Sequence, residues 1–169
     1  MRTGSAAPAA GANGATARAG AAAPAADGSA RLVARGLRLA YADRVVIDGL
    51  DVAVPDASFT VIVGPNACGK STLLRALARM LKPQAGAVLL DGAEIRSQPA
   101  KAVARRLGLL PQSPVAPDAI TVADLVARGR YPHQRLLRQW SREDERAVAE
   151  ALAATGTTEL ADRAVDELS

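Results

Sequence analysis

Regular alternation of apolar and polar positions begins at Arg31. "RLVARGLRLAY" (residues 31–41) and "DGLDVAVPDASFTVIV" (residues 48–63) alternate, with Gly and Pro as breaks, and predict short strands. Within the second stretch "FTVIV" (residues 59–63) is apolar without interruption, which predicts a strand buried on both faces. The period then changes. Leu73, Leu74, Leu77 and Leu81 recur at helical spacing and predict a helix over 70–81, with Pro83 just beyond its end.

Further along, "GAVLLDG" (residues 86–92) predicts a strand and a Gly-containing turn. "SQPAKAVARRL" (residues 97–107) predicts a helix capped by Ser97 with Pro99 in its first turn. "GLLPQ" (residues 108–112) predicts a short strand running into a loop. The last third predicts helices, over about 114–162. Thr121 and Asp124 have capping-box spacing ahead of a helix that Gly129 closes, and Ser141 and Asp144 repeat it before a helix that Gly156 ends.

The first thirty residues are Ala, Gly and Pro with small polar residues. They lack bulky side chains whose burial would offset the entropy of ordering, so they read as a disordered tail. A charged start at Arg2 with no Leu-rich run after it argues against a targeting peptide. The remaining 31–169 suits one domain with one core. Aromatics make up only 2% of the chain, so that core must be built from Ala, Val, Leu and Ile. The net charge of +4 comes with arginines spread along the chain and no interleaved aromatics, which favours a solvated surface over a nucleic-acid patch. A single cysteine excludes an internal disulfide and a multi-cysteine zinc site. No apolar run approaches the roughly 18 residues of a membrane span, so any membrane association runs through a partner.

The chemistry concentrates in "GPNACGKST". Gly64, Gly69, Lys70 and Ser71 satisfy G-x-x-x-x-G-K-[ST] between a predicted strand and a predicted helix. In such a loop, backbone amides turn inward around phosphates, and glycines allow the approach without a Cβ clash. The helix that follows points its positive end at the same anion. Lys70 reaches the terminal phosphates and the Ser71 hydroxyl can ligate Mg²⁺. Pro65, Asn66, Ala67, Cys68 and Thr72 complete the phosphate-binding set. Ala67 stands where many such loops carry glycine. If its φ is positive, its methyl group costs about 1 kcal/mol and weakens binding several-fold. Cys68 reads first as a small apolar filler, with chemical reactivity conferred by its place at a helix N-terminus.

Tyr41 lies at a strand end about twenty residues before the loop. On physics alone it fits equally a ring that stacks on a purine and a half-buried strand tyrosine. Gln112 ends "GLLPQ" and on spacing alone is a weak candidate for a bound Mg²⁺ or water. "AVLLDG" (residues 87–92) looks like a Walker B strand, but it follows the loop too soon, no acidic residue follows Asp91, and Gly92 marks a turn. His133, in "RYPHQ", reads as a surface residue, and Asp166 and Glu167 as a solvated loop.

Together these stretches resemble the ATP-binding subunit of ABC transporters. "LRLAYADRVVIDGLDVAV" is similar to the family's first strands, "GPNACGKST" to its Walker A motif and "GLLPQ" to its Q-loop; "ELADRAVDELS" is similar to the lead-in to its signature sequence. "VADLVARGRYPHQ" and "SREDERAVAEALAATG" resemble the branch serving iron–siderophore, haem and cobalamin importers, in which an "NACGKST" loop is familiar. The resemblance implies an α/β P-loop NTPase core, incomplete over 31–169, with an antiparallel β portion near 31–54 and 87–90 and a helical subdomain. It implies ATP with adenine on Tyr41, phosphates over residues 66–72, and Mg²⁺ between Ser71 and the supporting Q-loop residue Gln112.

It also implies partners: membrane permease subunits, a second ATP-binding subunit in a homodimer and, indirectly, a substrate-binding protein, with no nucleic acid. The setting would be peripheral, on the cytoplasmic face of the membrane, and the cargo a ferric siderophore. "RYPHQ" would face the permease. The Walker B carboxylate, the catalytic glutamate and the switch histidine would follow Ser169, so the full-length parent would be the ATPase. The 169-residue chain itself would bind nucleotide weakly and hydrolyse it slowly or not at all. Two other readings are a non-hydrolysing nucleotide-binding fragment and a soluble ABC-type ATPase unlinked to transport.

Overall fold

The computed structural model describes residues 30–112, 116–134 and 140–168. The predicted tail lies outside them except for Ala30, with which the first strand opens. The chain divides into two units, one ending at Ile95 and one beginning at Arg96.

The first unit is built on β1 (Ala30–Tyr41) and β2 (Arg44–Pro55), an antiparallel hairpin joined through Ala42 and Asp43. β3 (Ala85–Leu90) pairs antiparallel with β1, and β4 (Ala93–Glu94) with β3, giving the order β2-β1-β3-β4. The buried positions of β1 are Ala34, Leu37 and Leu39, which breaks simple alternation. A bulge at Arg35 and Gly36 accounts for this: the register with β2 slips between Ala34 and Leu37, and that with β3 between Arg35 and Arg38. Gly36 has φ 55°, and its freed amide donates to Asp51 Oδ1 at 2.8 Å. Across the ladder a Cβ on Gly86 would sit 2.3 Å from the Gly36 carbonyl oxygen, so only glycine lets the strands close there. Burying Leu37 and Leu39 completely stabilises the unit by roughly 1.5–3 kcal/mol each.

α1 (Lys70–Leu77) packs on β1 through Thr72, Leu73, Ala76 and Leu77. It stops short of the predicted Leu81. Arg79 turns left-handed at φ 66°, and the Met80 and Leu81 amides return to the Arg75 carbonyl at 2.8 and 3.1 Å. No glycine marks that stop, so the apolar spacing carried the prediction one turn too far.

Two predicted strands do not form. Residues 59–63 have no partner strand among the described residues, and Phe59 and Val63 are 93% and 82% exposed. Residues 108–112 are likewise irregular, with Leu110 exposed. An unbroken apolar run becomes a buried strand only where neighbours supply ladder partners and cover both faces. Among the described residues no such neighbours pair with either run.

In the second unit α2 (Ala100–Ala104) is capped at Pro99, not Ser97. Proline holds φ at −56° with ψ at 135°, and it pushes the residue before it out of the helical region, so the helix cannot begin earlier. α3 (Val122–Arg128) and α4 (Arg142–Ala154) pack on each other. Thr121 Oγ1 accepts the Asp124 amide at 3.1 Å, and Gly129 ends α3 in a right-handed conformation. Ser141 and Asp144 form the full capping box of α4, and Gly156 turns left-handed just past it. The chain then doubles back. Val122 and Ala123 donate to the Arg163 and Ala161 carbonyls, and Val165 donates to Ile120, so residues 161–165 are laced to the start of α3. Among the described residues no helix is long and apolar enough to cross a membrane.

Candidate nucleotide site

The loop between residue 64 and α1 is shaped by its small residues. Gly64 has φ 159° and a Cβ there would meet Cys68 Sγ at 2.9 Å. Gly69, the cap of α1, has φ 100°, and its Cβ would meet Val46 and Ile47 of β2 at 2.9 and 3.3 Å. Glycine at 69 therefore does two things. It makes the left-handed turn, and it lets the loop lie against the hairpin. Ala67 makes its own left-handed turn at φ 62°. The methyl cost anticipated for that case is thus present in the folded loop.

The amides of residues 66–72 donate to no protein acceptor among the described residues. Donors left over at a loop and helix start are the hallmark of an anion cradle. Lys70 folds back over this cradle. Its Nζ donates to the Gly64 and Pro65 carbonyls at 2.8 and 2.7 Å and lies 3.8 Å from Cys68 Sγ. Ser71 is exposed at the first turn of α1, with its hydroxyl open to a ligand. The donor set and the room made by Gly64 and Gly69 fit a polyphosphate.

Tyr41 belongs to the same unit and is 44% exposed. Its hydroxyl faces Thr72 and Arg75 of α1, which together hold the phenol below its ordinary pKa. The structure thus brings Tyr41 to the helix that carries Lys70, Ser71 and Thr72. Neither Arg75 nor the Val46 and Ile47 backing of Gly69 was foreseen. The three-residue step from Thr72 to Arg75 was the only local sign that the two share a helix face.

Asp91 is engaged within the sheet. It sits at φ 52° in the β3–β4 turn and pairs with Arg31 Nε at 2.7 Å. Among the described residues no cluster of three His, Cys, Asp or Glu could hold a metal ion. Gln112 lies in the second unit on an exposed, irregular stretch.

The second unit anchors "RYPHQ" from below. Tyr131–His133 forms one 3-10 turn, and α2 and the turn after it supply two cations to its carbonyls. Lys101 Nζ donates to the Gln134 carbonyl at 2.9 Å, and Arg105 Nε to that of Pro132 at 2.9 Å. Lys101 also stands 4.8 Å from the centre of the Tyr131 ring. His133 stays exposed and borders a polar cavity of about 330 Å³ with Arg105, Arg130 and Asp144. Most of that lining is already paired. Arg130 Nε meets Asp144 Oδ1 at 2.8 Å, and Asp144 Oδ2 accepts from the Ser141 hydroxyl at 2.8 Å. The Asp144 carboxyl is held below its usual range, first by Arg130 and then by Ser141.

The profile of the ABC transporter family matches residues 47–169. The chain belongs to the ABC transporter family. It is 54% identical over 140 residues to the ferric enterobactin transport ATP-binding protein FepC of Escherichia coli (strain K12), covering 83% of this chain and 52% of FepC. It is 52% identical over 138 residues to the achromobactin transport ATP-binding protein CbrD of Dickeya dadantii (strain 3937), covering 82% of this chain and 51% of CbrD. This ABC chain therefore spans about half the length of these relatives. A solved ATP-binding subunit of an ABC transporter matches with a TM-score of 0.68 at 19% identity, covering 82% of this chain and 55% of that one, a likeness of fold. The α/β P-loop fold implied by the family resemblance thus agrees with both kinds of likeness.

Proposed function

We propose that this chain is the nucleotide-holding part of an ATP-binding subunit that powers import of a ferric siderophore through a membrane permease. The observation that carries the nucleotide half is the loop: amides over residues 66–72 that donate to no acceptor among the described residues, closed by the Lys70 ammonium. The cargo half is supported by relatives named for ferric enterobactin, achromobactin and petrobactin transport, at 54%, 52% and 50% identity.

In this reading the amides of residues 66–72 take the phosphate oxygens of ATP. Lys70 exchanges its two neutral carbonyl acceptors for anionic phosphate oxygens, which adds ion pairing to its hydrogen bonds. Tyr41 supplies the stacking face for adenine. The Ser71 hydroxyl offers an oxygen ligand to Mg²⁺, which when bound neutralises phosphate charge, and Gln112 is the supporting Q-loop residue of this reading. The domain division into a tail over 1–30 and an ATP-binding portion over 31–169, with a helical subdomain near 114–162, belongs to the same proposal. So do a homodimer with a second ATP-binding subunit, permease contact through "RYPHQ", an indirect link to a substrate-binding protein, and a peripheral place on the cytoplasmic face of the membrane. Hydrolysis further needs groups besides the P-loop that position water and stabilise charge.

Calorimetric titration of the chain with Mg-ATP tests the core of this reading. Heat of binding is expected, with affinity falling about 10- to 150-fold in Lys70→Ala, the worth of a hydrogen bond to a charged group. A silent titration, or equal affinity in the variant, refutes it. Ferric siderophore uptake in a strain lacking the full-length gene tests the cargo.

A further inference from the structure

Tyr131–His133 is a single 3-10 turn, too short to be stable on its own backbone bonds. The His133 and Gln134 amides donate to the Arg130 and Tyr131 carbonyls at 2.9 and 3.3 Å. Among the described residues the Pro132 and Gln134 carbonyls accept no backbone amide. Two cations take them instead. Lys101 and Arg105 stand four residues apart, on α2 and its cap, and so share one face. Lys101 Nζ donates to the Gln134 carbonyl and Arg105 Nε to that of Pro132, each at 2.9 Å. The Lys101 ammonium also lies 4.8 Å from the centre of the Tyr131 ring. On the other side Arg130, the cap of the turn, meets Asp144 of α4 at 2.8 Å. Holding two long cationic side chains still costs rotamer entropy. Among the described residues neither Lys101 nor Arg105 neutralises a carboxylate in return. What they fix is the backbone of a surface turn whose Tyr131 and His133 remain exposed, the tyrosine by 65%.

We propose that Lys101 and Arg105 are positioning residues for a protein contact: they hold the backbone of residues 131–134 in one shape, so that Tyr131 and His133 are presented together to the permease. The inference rests on the permease reading given above for "RYPHQ". An exposed turn of this length, left to its own bonds, opens readily, and a partner must then order it on binding. Cations on its last carbonyls act as they do at a helix C-terminus. They set the turn before the partner arrives, which removes an ordering cost from association. The Lys101 contact with the ring does the same for the Tyr131 rotamer. Neither cation touches the partner in this role. Both belong to the second unit with the turn, and their loss leaves the phosphate loop of the first unit as it is.

Two measurements test it. The first is residue-resolved amide hydrogen exchange at His133 and Gln134 in the full chain. Lys101→Ala/Arg105→Ala is expected to speed exchange at both by about tenfold, and the conservative Lys101→Arg/Arg105→Lys to stay within about threefold of the parent. The second is binding of the full-length protein to inside-out membrane vesicles from a strain lacking its gene, beside calorimetry with Mg-ATP. The double alanine variant is expected to bind vesicles about fivefold more weakly at unchanged ATP affinity, and the conservative variant to recover most of that loss. Arg142→Ala/Arg146→Ala removes the same two charges from exposed positions of α4 and is expected to leave vesicle binding unchanged. Unmoved exchange in the double alanine variant overturns the tether. Faster exchange with unchanged vesicle binding overturns the positioning role if Tyr131→Ala weakens binding, and the permease reading of the turn if Tyr131→Ala does not. Equal weakening by the α4 variant assigns the effect to bulk charge and overturns the role. So does a matching loss of ATP affinity, which marks general destabilisation. Absence of vesicle binding by the parent refutes the permease reading and this role with it.

Discussion

Ala67→Gly separates two accounts of the phosphate loop. Ala67 holds φ 62° in the folded loop. The strain of a left-handed L-residue, about 1–2 kcal/mol, therefore belongs to the folded chain itself. Glycine relieves it but loses about 0.5–1 kcal/mol more backbone entropy on folding. The net expectation is a gain of about 0.5–1 kcal/mol in unfolding free energy. With a slope of about 2 kcal/mol per molar urea, the midpoint should rise by roughly 0.2–0.5 M. Affinity for Mg-ATP should change by less than about twofold, because free and bound loops share the same turn. Circular dichroism in urea and calorimetry give the two numbers. The opposite pattern, an unmoved midpoint with about fivefold tighter ATP, means that the left-handed turn forms only as ligand binds, and the preformed cradle is wrong. A raised midpoint with unchanged affinity would make this strain a stability cost in place of the several-fold affinity penalty expected from the sequence.

Gly86→Ala should destabilise the chain by about 3 kcal/mol or more, since its Cβ would press on the Gly36 and Arg35 carbonyl oxygens at 2.3 and 2.4 Å. Gly92→Ala, left-handed at φ 79° but with nothing within 4 Å, should cost only about 1 kcal/mol; equal losses in urea melts would remove the bulge contact as the reason. The lowered Asp144 carboxyl makes the second unit acid-sensitive. Because its folded pKa is below the unfolded one, its contribution is present above roughly pH 4 and is lost as pH falls through the folded value. Thermal melts from neutral to acid pH should show that loss in the parent and a flatter profile in Asp144→Asn; parallel profiles would assign the acid sensitivity elsewhere.

The local rules written into the chain were legible wherever a local interaction suffices. Ser141 and Asp144 are three residues apart, so the capping box needs only α4's own first turn. The phosphate loop was legible for the same reason: its glycines, lysine and serine act on each other across a few residues. β1, β2 and β3 were also readable, though the bulge that moves Leu37 onto the buried face was not, since a register slip is a property of paired strands. The family resemblance drawn from those segments agrees with the match over residues 47–169.

What the amino-acid order alone determined is therefore the loop motif ahead of α1, the N-caps of α3 and α4, and the strands β1 to β3. What the tertiary structure decided is which apolar runs find partners and which distant side chains meet. Residues 59–63 carry every mark of a buried strand, yet they stand exposed, because burial is supplied by neighbours and not by the run itself. Gly69 came to rest against Val46 and Ile47 of β2, far back along the chain, because it has no Cβ to hold the hairpin away from the loop.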